Sequence, residues 1–464
     1  MKRMQTKRFG PEKETPDWVI DMNKLMMEGI GYASGRSWTI YRVPKNMCDV
    51  NRSSFIPKII SIGPFHYGEK RLHVMEEHKK RYLFRLLGFE SQSKIRLALP
   101  TDNVVKDAPK LESLAGAMKL LEEKTRDCYS ETFNLSSDDF VQMMVMDGCF
   151  VVELLRLYHK FEAENEEEED VEDPIFTTRW MLRTLQRDLL MLENQLPFFV
   201  LEKLFEITSL GKEPSLMELT LEFFNPLMPR EKELLKVETE DEISHLLDLY
   251  RTSFLSSVVS RKSKGTGSHA HAEEGQLIHC ATELQEARVT FMKTKDSDLF
   301  DIQFKDGLLK IPILRIDDNT VPMFLNFVAH EQCDEDEEPY FTHHFMFLDS
   351  LVNAANDVSI LHKNGIINHV LGSDKDIATF FNKLGREIVY DVRDSHLATQ
   401  MKAINKYYRG YSDSRLRVWW TNLISNYFSS PWTFLSPLAA IILLLLTVTQ
   451  TLLAAYAYYK PIGP

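Results

Sequence analysis

The chain has 464 residues, 44% of them apolar and 27% charged, with a formal net charge of −13. That balance suits a globular protein with a large core, and the acid excess excludes nucleic acid as the main partner, because phosphate binding needs a basic face. The five cysteines, Cys48, Cys128, Cys149, Cys280 and Cys333, form no Cys-x-x-Cys pair, so neither a zinc motif nor a disulfide framework is indicated and reduced thiols on a cytosolic face are expected.

Met1 to Arg36 reads as a loose polar segment. Its start lacks the apolar stretch of a secretory signal peptide. A mainly helical domain is expected over 37–430. Trp38–Pro44 is extended, and Pro57–Pro64 is a short apolar run closed by the turn signal Gly63-Pro64. His73–Phe89 reads as a helix with His78, Lys79, Lys80, Arg81 and Arg85 on a basic face, a solvated surface rather than a lipid-binding one. Asp138–Phe161 has apolar residues at helical spacing behind a Ser136, Ser137 or Asp138 cap. Glu162–Asp173 is an acidic, solvated loop. Thr177–Ile207 resumes the helical pattern, with an interruption at Pro197. The apolar Asp147 and Asp188 stretches are expected to lie side by side in one core.

Ser260–Gly275 is rich in Ser, Gly, Lys and His and reads as a mobile insertion, like the stretch near 162–173. The pattern then changes to short β-type runs at Val289–Met292, Leu299–Phe304 and Leu308–Ile316. Asp306-Gly307 supplies the residues of a hairpin turn. A small antiparallel meander is expected there. Helices follow over Tyr340–Lys363, Ser373–Leu384, Ser395–Tyr408 and Ser412–Phe428.

Trp432–Tyr459 carries no charge. About 25 helical residues at ~1.5 Å each cross a ~30 Å hydrocarbon layer, so this run reads as a single transmembrane helix that contacts membrane lipid. Leu438 and Leu444 belong to its apolar centre, Gln450 is its one strongly polar side chain, and Trp432 and Tyr458 belong to aromatic belts at its two ends. Arg409, Arg415 and Arg417 precede it and only Lys460 follows. The positive-inside rule therefore puts the large domain in the cytoplasm and the tail 460–464 beyond the membrane, with the plasma membrane the expected one. Glycosylation patterns at Asn51 and Asn134 would matter only for a domain facing the other way.

No Gly-x-Ser-x-Gly elbow, phosphate-binding loop, His-Glu-x-x-His or Gly-x-Gly-x-x-Gly motif occurs. Asp147, Glu153, Asp188 and Glu193 form the best carboxylate cluster. They are candidates for acid/base chemistry or, more simply, groups that bond helix ends and Arg156, Arg183 or Arg187 in the core. His269 and His271 have ligand spacing but lie in the low-complexity loop, and Ser61 with His66 reads as a turn rather than a nucleophile and base. No cofactor or metal is indicated.

Taken in order, Ile40-Tyr-Arg-Val-Pro44, Ile60-Ser-Ile-Gly-Pro-Phe-His-Tyr-Gly68, Met146-Asp-Gly-Cys-Phe-Val-Val-Glu-Leu154 and Asp188-Leu-Leu-Met-Leu-Glu-Asn-Gln-Leu-Pro-Phe-Phe-Val-Leu201 resemble the plant DUF247 family, also called UPF0481 proteins. Ala281-Thr-Glu-Leu284, Ala329-His-Glu-Gln332, Gly365-Ile-Ile-Asn368, Leu371-Gly-Ser-Asp374 and Tyr427-Phe428 extend the resemblance. Arg288 stands where a glycine is expected, which questions the turn before the first strand, and His330 stands where an aromatic is usual. The resemblance implies a helical, membrane-associated plant protein. It carries over no catalytic residue, and a link of some relatives to self-incompatibility implies a recognition or signalling role with an unknown protein partner. The competing reading is a membrane-tethered hydrolase using the carboxylate cluster.

Overall fold

The computed structural model describes residues 18–19, 22–24, 38–89, 110–164, 173–209, 211–230, 235, 237, 242–264, 277–294, 298–334, 337–370, 372–385, 388–412 and 431–459. Most of the 1–36 segment, the middle of the acidic run, the loop holding His269 and His271, most of the expected Ser412–Phe428 helix and the tail lie outside these residues. The chain divides into two compact units, and the division falls within one helix between Arg251 and Thr252. The first helix, α1 (Lys45–Asn51), groups with the second unit.

The first unit is helical. Its elements are α2 (Val74–Leu86), α3 (Leu111–Asp127), α4 (Ser137–Glu164), α5 (Arg179–Asp188), α6 (Phe198–Thr208), α7 (Leu216–Phe224) and the first turns of α8 (Leu246–Lys264). α4 is the hub, packed against α2, α3, α6 and α7. Phe140, Met144, Cys149, Phe150, Val151, Val152, Leu154 and Leu155 are all fully buried. A helix that is apolar nearly all round must be enclosed on all sides. Ser136 caps it by accepting the Asp139 N–H at 3.1 Å. Gly148 lets α6 approach, since a Cβ there would lie 2.2 Å from Leu204 Cδ1. Phe150 meets the ring of Tyr82 on α2 at 5.1 Å.

The helix expected over Thr177–Ile207 is two helices. α5 ends at Asp188, residues 189–197 turn without helix, and Pro197 stands at the N-cap of α6. Polar side chains make the break. Asn194 Nδ2 donates to the Asp188 carbonyl at 2.9 Å, and Gln195 Nε2 donates to those of Leu189 and Met191 at 2.7 and 2.8 Å. These bonds satisfy carbonyls that a continuing helix would have used.

The second unit combines helices with two small sheets. After α9 (Ala281–Glu286) come β1 (Thr290–Thr294), β2 (Gln303–Lys305), β3 (Leu308–Pro312) and β4 (Leu314–Ile316). Then follow α10 (Thr320–Cys333), α11 (Tyr340–Leu351), α12 (Ala355–Lys363), β5 (Ile367–His369), α13 (Asp374–Leu384) and α14 (Ala398–Ser412). The sheets are mixed, not an antiparallel meander. β2 and β3 form the expected hairpin, with positive φ at Asp306 (51°) and Gly307 (81°), as a two-residue turn requires. β1, however, pairs with β3 in parallel, in the order β1-β3-β2, and β4 pairs in parallel with β5. The chain between β1 and β2 is long enough to carry β2 past β1, which leaves β3 in the middle.

Helix breaks here are also made by buried carboxylates. Asp357 accepts from Asn353 N (3.1 Å), Ala354 N (2.8 Å) and Thr282 N (2.8 Å). It thereby divides the expected Tyr340–Lys363 helix and clips the start of α9 to that of α12. Glu331 does the same for α11, accepting from Phe341 N and Thr342 N at 3.0 and 2.7 Å. All five cysteines are free thiols. The last helix, α15 (Pro431–Tyr459), contains a stretch, Ala439–Tyr456, that is long and apolar enough to cross a membrane and is wholly exposed.

Two stability outcomes follow from this packing. Leu192 is fully buried, so Leu192→Ala is expected to cost ~2–5 kcal/mol in denaturant unfolding; a loss under ~0.5 kcal/mol, the surface range, would refute the packing. Arg288 holds the turn expected of glycine by adopting φ 69°, with Arg288 N on Gln285 O at 3.0 Å and Val289 N on Leu284 O at 2.9 Å, so α9 ends in a Schellman motif. Arg288→Gly is expected to raise stability by up to ~1 kcal/mol, since glycine adopts this conformation without the Cβ penalty. A destabilised variant would mean that the arginine side chain holds the turn.

Candidate functional site

The candidate carboxylates all lie in the first unit, and each is buried: Asp147 is 2%, Glu153 6%, Asp188 0% and Glu193 7% exposed. A carboxylate removed from water must find donors for its oxygens. Their donors come from two extended segments near the start of the chain, from α2 and, for Asp188, from the neighbouring Arg187.

Residues 57–63 cross the core as an irregular strap whose N–H groups have no sheet or helix to bond. Asp188, the last residue of α5, takes three of them on Oδ2: Lys58 N at 2.7 Å, Ile59 N at 2.8 Å and Ile60 N at 3.3 Å. Its Oδ1 pairs with Arg187 at 2.9 Å. Asn194 Oδ1 takes Ile62 N at 2.7 Å, and Asp147 on α4 takes Gly63 N at 2.9 Å. The strap turns at Gly63 with φ 75°, where a Cβ would lie 2.4 Å from the Gln195 carbonyl oxygen. Only glycine suits that turn and that approach.

The other oxygen of Asp147 is 2.6 Å from Lys79 Nζ, and both side chains are almost wholly buried. Lys79 also reaches Glu76 and the Ser61 carbonyl, each at 2.6 Å. Burial raises the Asp147 pKa above the ordinary aspartate value, against the pull of Lys79. Burial also opposes the Lys79 ammonium, but Asp147 and Glu76 outweigh it and hold its pKa above the ordinary lysine value. The 2.6 Å contact makes the two a buried salt bridge. Lys79, read from sequence as part of a solvated face, is instead a core residue. Its neighbours on α2 also turn to acids: Arg81 meets Asp173 at 2.9 Å and Arg85 meets Glu153 at 3.0 Å.

Glu193 holds the other extended segment, accepting from Val43 N at 2.9 Å and Arg42 Nη1 at 2.8 Å. His66 lies 3.6 Å from it. The structure thus brings Asp147 and Asp188 onto one strap, puts Glu193 on the neighbouring segment, and leaves Glu153 apart between α2 and α4. Of the arginines expected to meet them, Arg187 does so. Arg156 pairs with Glu213 and Arg183 donates to the Pro226 carbonyl. Sequence reasoning placed Lys79 on a solvated face and assigned no role to Asn194 or Gln195, although an Asn-Gln pair inside an apolar run marks buried amides. A shallow hollow on this unit is lined by Phe199, Glu202, Lys203, Phe205, Glu206, Ser215 and Leu216, and none of the four carboxylates reaches it.

Residues 60–63 of the strap, Asp147 and the 188–197 loop fall in the segments that carry the sequence resemblance. The profile of DUF247, described as a plant protein of unknown function, matches residues 40–446. The chain belongs to the DUF247 family. Within it, the chain is 32% identical over 453 residues to the UPF0481 protein At3g47200 of Arabidopsis thaliana, covering 94% of this chain and 89% of that one. It is 21% identical over 525 residues to the putative UPF0481 protein At3g02645 of the same plant, covering 93% of each. No solved structure matches.

The ion pair supplies a double-variant test. Asp147→Asn keeps an acceptor for Gly63 N–H but leaves the Lys79 ammonium without its buried counter-charge, with only the partly exposed Glu76 remaining, and Lys79→Met leaves a buried carboxylate. Each is expected to cost about 3–5 kcal/mol, while the double variant should lose at least ~1 kcal/mol less than the sum. Additive losses in denaturant unfolding would mean the two side chains are not coupled.

Proposed function

We propose that this DUF247 protein is a membrane-anchored interaction component: α15 holds it at the bilayer, and the folded part offers its surface to a protein partner in a recognition or signalling event. The observation that carries the reading is α15 itself. Its apolar side chains from Ile441 to Tyr456 are exposed along their length, and an apolar surface of that extent and length suits lipid in place of water. Its threonines suit that setting. Thr447 and Thr451 donate to the carbonyls of Leu443 and Thr447 at 2.7 Å, which spends their hydroxyls within the helix.

The hydrolase reading draws no support from the carboxylates. A catalytic acid or base needs a face toward substrate, whereas Asp147, Asp188 and Glu193 each use both oxygens on backbone N–H groups and cations.

The folded part is expected on the cytoplasmic side, from the arginines before the anchor and the lysine after it. Sealed microsomes with their cytoplasmic face outward test this. Added protease should digest the large domain without detergent, and Asn134, which is exposed, should carry no glycan. Protection until detergent is added, or a glycan at Asn134, would reverse the orientation and move the partner outside the cytoplasm. Proximity labelling by the full chain in plant membranes tests the interaction itself. Partners labelled by the intact chain and lost on deletion of Trp432–Pro464 support the reading; labelling no different from an inert anchored control opposes it.

A further inference from the structure

We infer that His362, His369 and Asp374 form a binding site for a single divalent cation of the zinc class. Their ligand atoms lie within 4.8 Å of one another. The sequence places them at His362-x6-His369-x4-Asp374, a spacing that no short motif flags.

The fold brings them together through two tight connections. α12 ends in a Schellman motif: Gly365 has φ 69°, Gly365 N bonds His362 O at 2.8 Å and Ile366 N bonds Leu361 O at 2.9 Å. That motif fixes His362 in the last turn of α12 and sends the chain straight into β5. β5 is only three residues long and is held by its parallel pairing with β4, where His369 stands opposite Ile316. Asp376 then accepts the Ser373 N–H at 2.8 Å at the start of α13, which makes Asp374 the first residue of that helix. Each ligand is thus fixed by backbone bonds that the others do not share.

The local chemistry suits a cation. His369 Nε2 is 2.9 Å from Asp374 Oδ1, and the His362 and His369 rings are 5.1 Å apart. The His369 side chain is only 8% exposed, so its imidazole is held largely out of bulk water. Two imidazoles and one carboxylate are the ligand types of zinc sites that keep a fourth position for water. Zinc at ~2.0–2.1 Å from each donor needs ligand atoms ~3.3 Å apart. His362 is exposed at the helix end, so its side chain is the one able to turn toward the other two on binding. The bound ion would tie α12, β5 and α13 together.

The test is zinc binding by the full chain in detergent micelles, by competition with a chromophoric chelator, with Co2+ absorption reporting the ligand set. Wild type should bind one ion per chain. His362→Gln, His369→Gln and Asp374→Asn should each weaken binding by roughly tenfold or more, at least the loss caused by removing an outer-shell partner. His269→Ala with His271→Ala should bind as wild type does. His362→Gln changes an exposed side chain, so its result stands even if His369→Gln fails to fold. No binding by wild type, wild-type affinity in His362→Gln, or loss confined to the His269/His271 variant would overturn the inference.

Discussion

Backbone N–H groups inside a core have to be bonded, and where no helix or sheet supplies the acceptor a side chain must. In the first unit that demand is concentrated in the strap at residues 57–63, which runs through the interior without regular structure. Asp188, Asn194 and Asp147 meet it with five bonds to backbone nitrogens. Their burial creates a second demand, for positive charge, which Lys79 and Arg187 meet. The basic helix α2, the break after α5 and the glycine at position 63 all follow from fitting these donors and acceptors into one dry space.

The second unit solves a similar problem with the same chemistry. Glu331 and Asp357 are buried carboxylates that bond the first N–H groups of helices. Each ties its own helix, α10 or α12, to another segment by an interaction more directional than apolar contact. Around them the apolar filling is aromatic: the rings of Phe324, Phe327 and Phe341 lie 4.6–6.4 Å apart in tilted or edge-on contact, with Phe300 edge-on to Phe341 at 5.0 Å. The carboxylates fix which residues meet, and the rings fill the space between.

How much of this was legible in the sequence depends on the range of the interaction. Helix α4, the Asp306-Gly307 hairpin, the Ser373 cap and the apolar run of α15 were readable because periodicity, turn residues and caps act within a few residues. The parallel pairing of β1 with β3 was not, since pairing partners and order are tertiary choices. The role of Lys79 was hidden for the same reason. On α2 it looks like its neighbours His78 and Lys80, and only the arrival of Asp147 makes it a core residue. The four carboxylates were found but with incomplete partners, because Arg42, Lys79 and Arg85 come from segments distant in sequence. The His362, His369 and Asp374 grouping had no sequence signal, because its spacing depends on a three-residue strand.

Range also bears on how the two parts of the chain form. Asp188 bonds a strap 128 to 130 residues earlier, and Asp147 bonds Gly63 across 84. Until both segments are present, the strap has unbonded N–H groups and the carboxylates have no donors, so neither half gains from burial alone. Such contacts make the first unit cooperative, because the loop-closure entropy must be met before any of these bonds forms. α15 is the opposite case. Its backbone bonds are within the helix, and Thr447 and Thr451 bond inside it as well. These hydroxyls therefore depend on no distant segment. A chain built this way can keep a demanding polar interior and a helix long and apolar enough to cross a membrane in one sequence, since the requirements of one place no constraint on the residues of the other.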